Sequence, residues 1–296
     1  METPKPKVAL VLSGGGARGI AHIGVIEELE RRGYRIASIA GTSMGALVGG
    51  VYAAGRLDEF KHWILSLDKT RVFSLVDFTL SKQGLIKGDK VLKKMRDYVP
   101  DMDIENLHLP YAALAVDIRH NEEVVFDRGS LYDAIRASIA IPLVLTPVRS
   151  NGRILVDGGV LNNIPMAHVK RTPGDIMVAS YVNADIPLNE AAPTKETIRK
   201  QSLYEKKVRD FDLHLETTDA EGKEEKLGYF RLLDRTFETM TLHMAEEKMK
   251  KFSPEVLINV SRYWCSVFDF YRAEQLVEAG REAAIETLDL YENSAP

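Results

Sequence analysis

Residues 36–54 read IASIAGTSMGALVGGVYAA, and this stretch indicates how the chain folds. Its first five residues are apolar or small and suit a buried strand, whereas the residues from Met44 onward are small and apolar nearly all round, which favours a buried helix. Between them lies Gly41-Thr42-Ser43-Met44-Gly45, a G-x-S-x-G sequence in the strand-to-helix setting of a nucleophile elbow. Small residues such as Gly41 and Gly45 permit a sharp turn that holds the serine hydroxyl out at the strand's carboxyl end. Ser43 is therefore a candidate nucleophile.

A second glycine-rich turn comes earlier in the chain. The apolar run Val8–Leu12 predicts a buried strand, and residues 13–19, Ser-Gly-Gly-Gly-Ala-Arg-Gly, follow it directly. Glycines let the backbone approach a ligand closely, and the helix predicted from Ile20 offers unpaired N–H groups at its start. Such a loop can bind a pyrophosphate or a transient oxyanion.

Nucleotide binding is disfavoured by two absences in the sequence. A dinucleotide site needs an acidic residue about 20 positions after the glycine loop, but residues 39–43 contain no carboxylate. A Walker A loop needs a lysine where this chain has Ile20.

A serine nucleophile requires a base, and the histidines are weak candidates for it. His168, His214 and His243 come late enough for a Ser–acid–His order, but none stands in a distinctive loop. His22 lies in the first turn of a predicted helix, where packing at the helix end is the expected role.

Asp157 is the better candidate base. It ends a predicted strand and precedes Gly158 and Gly159, which leaves its carboxylate at the end of the sheet. The simpler alternative is an Asx-turn, in which the side chain only caps its own backbone. A buried carboxylate within about 3 Å of a serine can deprotonate it directly, so a Ser43–Asp157 dyad is predicted.

The remainder of the chain alternates strands and helices up to about residue 185, which predicts an α/β fold with a mostly parallel central sheet. Further strands are predicted at 111–116, 124–126, 143–148, 153–156, 176–182 and 254–260. Further helices are predicted at 58–65, 89–98 and 130–137, with Asp58, Asp89 and Ser130 as their N-caps, and at 273–290. The chain is expected to be one domain, 1–296, with a catalytic core at about 7–185 and a charged, helical C-terminal extension at about 186–296.

Four segments have two interpretations each. More than half of residues 195–226 are charged, which favours a solvated helix or linker over a cover for a site. An apolar stripe formed by Leu233, Phe237, Met240 and Met244 is expected to pack in the core rather than face a membrane. Residues 139–145 are expected to pack in the core rather than to line an acyl-chain path, and the apolar stretch 73–80 is expected to pack rather than to form a lid or interface-binding loop.

Composition excludes several classes of protein. The chain has 296 residues, of which 45% are hydrophobic and 28% charged, with a net charge of −4 and one cysteine, Cys265. An internal disulfide is impossible, and a nucleic-acid partner is not expected because clustered positive charge is missing. No signal peptide and no apolar run of the ~18 residues that span a bilayer is found. A reduced, cytoplasmic setting is expected, with any membrane contact peripheral.

The chain resembles the patatin-like phospholipases, in particular the bacterial members related to the catalytic domain of neuropathy target esterase. The resemblance rests on the glycine loop, the G-x-S-x-G elbow and Asp157-Gly158-Gly159. It extends to Ala137-Ser138-Ile139-Ala140-Ile141-Pro142, Leu161-Asn162-Asn163-Ile164-Pro165 and Gln275-Leu276-Val277-Glu278-Ala279-Gly280, and is weakest from about residue 185 to 250.

The resemblance implies a three-layer α/β/α fold and hydrolysis of fatty-acyl esters of phospholipids or lysophospholipids through an acyl-enzyme. Ser43 would be the nucleophile and Asp157 the base. The oxyanion hole would be formed in the loop of Gly14, Gly15, Gly16, Ala17 and Arg18, with Arg18 fixing the loop or adding positive potential. No cofactor or metal is expected, and no calcium-binding pattern is found. An acyltransferase using the same acyl-enzyme and a non-catalytic lipid-binding protein are the alternatives.

Overall fold

The structure is a computed structural model, and it describes residues 5–75, 88–142, 144–188 and 229–294. The predictions for 195–226, for Leu143 and for most of 73–80 lie outside these residues. The strands are β1 Lys7–Leu12, β2 Arg35–Thr42, β3 Tyr111–Asp117, β4 Glu122–Phe126, β5 Val148–Ser150, β6 Arg153–Asp157, β7 Ile176–Ala184 and β8 Val256–Ser261. The α-helices are α1 Ala21–Arg31, α2 Met44–Ala53, α3 Leu57–Leu65, α4 Lys69–Leu75, α5 Asp89–Met95, α6 Leu131–Ser138, α7 Tyr229–Phe252 and α8 Ala273–Ser294.

The strands form a single sheet in the order β5-β6-β3-β2-β1-β7-β8, with β4 also paired to β3. The pairs β3–β2, β2–β1, β1–β7 and β7–β8 are parallel, whereas β4, β6 and β5 join by antiparallel pairing. The prediction of an α/β fold with a mostly parallel central sheet is confirmed. In such sheets ligands bind beyond the carboxyl ends of the strands, where the strand order reverses direction, and here that place lies beside β1.

Successive residues of β1 point to opposite faces of the sheet and produce three layers. Val8, Leu10 and Leu12 pack in the larger core with α1, α2, α3 and α8. Ala9 and Val11 face a smaller core, which contains Ile164, Met166 and Val169 and is closed by α7. Because both faces are covered, the central strands are largely apolar, and β1 is apolar from Val8 to Leu12 as predicted.

Two predicted helix caps are wrong. The helix at 57–65 has Arg56 at its N-cap, and Asp58 lies in its first turn. Helix α5 has Gly88 at its N-cap, with a φ of 73° that glycine adopts readily, so Asp89 is its first residue; it ends at Met95 rather than Tyr98. Ser130 does cap α6 as predicted, since its hydroxyl accepts a hydrogen bond from the Asp133 N–H.

The apolar stripe predicted on α7 does not match the face that packs. Met240 is 58% exposed, whereas Leu242, Ala245, Met249 and Phe252 contact the smaller core. The predicted strand at 143–148 also begins later, at Val148, and forms a hairpin with β6 through a turn at Asn151-Gly152. Both corrections concern peripheral elements. Composition alone does not tell which face of such a helix is covered or where such a strand begins.

No helix in the described part of the chain combines the length and the apolar character needed to cross a bilayer.

Candidate active site

Ser43 occupies a strained turn between β2 and α2. Its φ of 55° and ψ of −123° are costly for a residue with a side chain, by about 1–3 kcal/mol. Glycines on either side make the turn possible, because a Cβ at Gly41 would collide with the carbonyl of Gly45, and one at Gly45 would collide with that of Leu12. The Ser43 N–H donates a 2.8 Å hydrogen bond to Ser138 Oγ. The structure thus has the local geometry of a nucleophile elbow.

Strand pairing brings Asp157 to this turn. On β3, Leu114 pairs with Thr42 of β2, and the next residue, Ala115, pairs with Asp157 of β6. Since β4 occupies the other edge of β3 at both positions, β2 and β6 lie end to end along the same edge. The carboxyl ends of these two strands therefore meet, which places Ser43 beside a residue 114 positions later.

The Asp157 carboxylate is buried and only half satisfied. Its Oδ1 accepts a 2.7 Å hydrogen bond from the Gly159 N–H, which is the Asx-turn considered as the alternative role. Its Oδ2 is buried and has no hydrogen-bond partner among the described residues. One oxygen holds the turn, and the other is left to act on a neighbouring group.

Burial raises the pKa of Asp157 from 3.8 to about 6, against the smaller lowering effects of the Ser43 hydroxyl and the Gly159 N–H. The serine hydroxyl is thus close enough to affect the carboxylate electrostatically, although no hydrogen bond of ordinary geometry joins them. A base whose pKa lies near neutrality is well matched to proton transfer, and catalytic hydrogen bonds often tighten only when substrate is bound.

The glycine loop also lies against the Ser43 elbow. A Cβ on Gly14 would be 3.2 Å from Ser43 Cβ, so this part of the loop touches the elbow. Gly16 has a φ of 56°, and a Cβ there would lie 2.5 Å from the carbonyl oxygen of Val267. Both glycines are therefore required by close packing, and Gly16 also by its backbone conformation.

The N–H groups of the loop divide into two sets. Those of Gly14, Ala17 and Arg18 donate to the carbonyls of Asn163, Val267 and Gly15 respectively. Within the described ranges, no acceptor is found for the N–H groups of Gly15 and Gly16. These two groups remain available to a ligand, whereas the other three of the predicted set hold the loop in place.

Arg18 fixes the loop from within. It is 7% exposed, and its Nε donates to the Gly15 carbonyl at 3.3 Å. Burial lowers the pKa of its guanidinium, an effect opposed chiefly by Glu238 of α7, whose carboxylate lies 4.0 Å from Nη2. Arg18 therefore connects the glycine loop to the helix that covers this side of the sheet.

His22 is a packing residue, as expected from its position. It is fully buried, and its Nε2 lies 2.8 Å from the Ser13 carbonyl, so this nitrogen donates. Nδ1 must then accept from the Ser180 hydroxyl at 2.9 Å. Burial lowers the pKa of His22 to about 4, which keeps the ring neutral and ties the start of the loop to β7.

The later histidines have other surroundings. His168 Nε2 lies 2.6 Å from the carboxylate of Glu123, which also accepts from Asn162 and Lys248. His243 lies on the exposed side of α7, and His214 lies outside the described residues. A group of Asp117, His120 and Glu122 has ligand-type side chains, but the Asp117 carboxylate already accepts from His120 and from two backbone N–H groups that hold the hairpin.

Sequence reasoning missed the side chains that hold the three motifs together. Asn163 and Asn183 donate to the Gly14 carbonyl, and Ser138 accepts from the elbow. The Asn162 carbonyl accepts from Thr42 Oγ1 at 2.9 Å. Ser138, Asn162 and Asn163 lie in segments that carried the family resemblance, whereas Asn183, on an apolar strand, gave no signal.

The chain is similar to several known proteins. Residues 10–169 match the family model described as patatin-like phospholipase. An uncharacterised NTE family protein of Mycobacterium tuberculosis is 36% identical, over 97% of this chain and 92% of its own length. The lysophospholipase NTE1 of Candida glabrata is 33% identical over 55% of this chain and 10% of its own length.

Among solved structures, VipD from Legionella pneumophila is similar with a TM-score of 0.47 and 18% identity. The match covers 98% of this chain and 68% of that one.

Proposed function

Because the chain belongs to the patatin-like phospholipase family, we propose that it is a serine hydrolase that cleaves fatty-acyl esters of phospholipids or lysophospholipids. One observation carries the proposal. The Asp157 carboxylate is buried beside Ser43, has an oxygen with no hydrogen-bond partner among the described residues, and has a pKa raised to about 6. A lipid ester as substrate is supported by the family and by the lysophospholipase among its relatives.

In the first half of the reaction, Ser43 Oγ attacks the ester carbonyl carbon while Asp157 Oδ2 takes the hydroxyl proton. The carbonyl oxygen becomes a negative tetrahedral oxygen, stabilised by the free N–H groups of Gly15 and Gly16. One such donor contributes roughly 3 kcal/mol to transition-state stabilisation. When the tetrahedral species collapses, the ester C–O bond breaks, and protonated Asp157 gives its proton to the departing alcohol.

In the second half, a water molecule attacks the acyl-Ser43 ester and Asp157 accepts its proton. Collapse of the second tetrahedral species releases the fatty acid and returns the proton to Ser43 Oγ. The strained elbow supports this cycle, because it keeps Oγ at the carboxyl end of β2 within reach of both the carboxylate and the loop. No protein group changes its net protonation over a full turnover.

We further propose that the chain works as one catalytic domain. Strand β8 extends the central sheet beside β7. Helix α8 packs so closely on α1 that a Cβ at Gly280 would collide with the carbonyl of Ala21. The C-terminal elements thus complete the layers that hold the site.

Purified wild-type protein should release fatty acid from lysophospholipid or phospholipid, whereas Ser43→Ala and Asp157→Asn should be inactive with unchanged circular dichroism. A fluorophosphonate probe should label the wild type at Ser43. Wild-type-like turnover by either variant, or labelling at another serine, would overturn the proposal.

A further inference from the structure

The peptide unit between Gly14 and Gly15 is held from its carbonyl side by two buried amides. Asn183 Nδ2 donates to the Gly14 carbonyl oxygen at 2.7 Å and Asn163 Nδ2 at 3.3 Å. Asn183 is 5% exposed and Asn163 6%. Two side-chain donors on one loop carbonyl exceed what is needed to satisfy it, because burial of a carbonyl requires only one partner.

Asn183 and Asn163 form what we call the asparagine clamp. The geometry of the peptide bond connects this clamp to the site. No peptide bond of the described chain is cis, and in a planar trans peptide the C=O and N–H bonds point in opposite directions. Holding the Gly14 carbonyl therefore fixes the direction of the Gly15 N–H. That N–H is one of the two loop donors for which the described residues supply no acceptor, and Gly14 itself touches Ser43.

We propose that Asn183 and Asn163 are positioning residues that aim the Gly15 N–H at the oxyanion. The inference rests on the proposed function, since it assigns a role within the same reaction. Arg18 holds the next peptide unit in the same way, because its Nε donates to the Gly15 carbonyl. The Gly14–Gly15 and Gly15–Gly16 peptide units, which carry the two N–H groups, are thus each held at the carbonyl by a side chain. The two asparagines hold the first unit and Arg18 holds the second.

The positions of the two asparagines explain why they suit this role. Asn183 lies on β7, the parallel neighbour of β1, and the backbone of this strand also holds Ser13. Asn163 lies between the loop and the base, because a Cβ on Gly14 would collide with its Oδ1 and one on Gly159 would lie 3.2 Å from that atom. The clamp therefore fixes the position of the oxyanion donors relative to both the sheet and the Asp157 turn.

The test compares Asn183→Ala and Asn163→Ala with the wild type, and uses Asn259→Ala on the neighbouring strand β8 as a matched control. Steady-state kinetics with a lysophospholipid give kcat and KM, and thermal unfolding checks the fold. Two ligands separate transition-state from ground-state binding. A fatty trifluoromethyl ketone forms a tetrahedral adduct with an oxyanion, whereas an ether-linked lysophospholipid cannot react.

Asn183→Ala should lower kcat about 10- to 100-fold, with KM within about threefold of the wild type, because a misplaced donor weakens only the transition state. Affinity for the ketone should fall by a similar factor, and affinity for the ether lipid should not change. Asn163→Ala should show the same pattern at smaller size, since its hydrogen bond is longer, and Asn259→Ala should match the wild type.

Unchanged kcat in both clamp variants would overturn the proposal, as would an equal loss of affinity for the two ligands, which marks general distortion. If Asn183→Ala does not fold, Asn163→Ala carries the same test. Failure of the proposed function is distinguishable, because it would appear as turnover by Ser43→Ala. If the asparagine variants have wild-type kinetics while Ser43→Ala is inactive, only the positioning role is overturned and the proposed function stands.

Discussion

The backbone N–H of Ser43 donates a 2.8 Å hydrogen bond to the hydroxyl oxygen of Ser138, 95 residues later in the chain. The same hydroxyl donates to the Leu114 carbonyl at 2.6 Å, so one buried serine joins the elbow to β3. Because the strained conformation of Ser43 persists only if its surroundings hold it, this link is a specific point at which the elbow can be weakened.

Replacing Ser138 with alanine should destabilise the protein and misplace Ser43. Loss of the hydroxyl leaves a buried N–H and a buried carbonyl without partners, at a cost of about 1–3 kcal/mol in the free energy of unfolding. We also expect at least a tenfold loss of kcat per folded molecule. Denaturant titration and ester hydrolysis measure the two effects.

Ser38→Ala is the matched control, since Ser38 is also buried and donates to a backbone carbonyl, that of Lys170, but lies four residues before Thr42 on β2. It should lose stability and keep its kcat. Equal kcat for Ser138→Ala and Ser38→Ala would show that the elbow does not depend on this hydrogen bond.

Replacing Asp157 with asparagine should stabilise the protein while it abolishes activity. The carboxyl pKa is raised in the folded state, from 3.8 to about 6, so folding favours its neutral form. Its ionisation therefore lowers stability progressively as pH rises from about 4 to 6, and by a constant amount of about 3 kcal/mol above that. An asparagine can keep the Gly159 hydrogen bond without the charge.

The free energy of unfolding of both proteins should be measured from pH 4 to pH 8. The variant should be more stable at pH 8, and the difference should shrink towards pH 4. A difference that does not vary with pH would mean that folding does not raise the pKa of the Asp157 carboxyl.

Activity should rise with pH and level off, with an apparent pKa near 6 in kcat/KM, because only ionised Asp157 accepts the Ser43 proton. His22 does not account for this titration, since burial lowers its pKa to about 4. Initial rates at low substrate from pH 4.5 to 9 give the profile. His168→Gln should keep the same midpoint; a midpoint lost in that variant would contradict its assignment to Asp157.

Gly16→Ala should damage the glycine loop far more than Gly33→Ala damages the turn after α1. Both glycines have positive φ, 56° and 81°, so an alanine costs about 1–2 kcal/mol at either position. At Gly16 the new Cβ would also lie 2.5 Å from the Val267 carbonyl oxygen, whereas nothing lies within 4 Å at Gly33. We expect Gly16→Ala to lose several kcal/mol of stability and most of its activity. Comparable activities in the two variants, measured alongside thermal unfolding, would contradict a tightly packed loop.

The local elements were largely predictable because each depends on neighbouring residues. The apolar run before Gly14 and the small-residue helix after Ser43 formed as predicted, and both glycine turns lie where strand meets helix. Faces of peripheral helices were less predictable. Helix α7 packs through Ala245 rather than through Met240, since the covered face depends on where the helix docks.

Sequence by itself determined that the chain has an elbow serine, a glycine loop and an aspartate at a strand end, because strain and close backbone approach demand particular residues at particular positions. Only the tertiary structure decided that they meet, since β2 and β6 share one edge of β3 through a register that no local pattern specifies. It also decided which loop N–H groups are taken from outside the loop, because the carbonyls of Asn163 and Val267 reach it from segments distant in the chain and accept from Gly14 and Ala17.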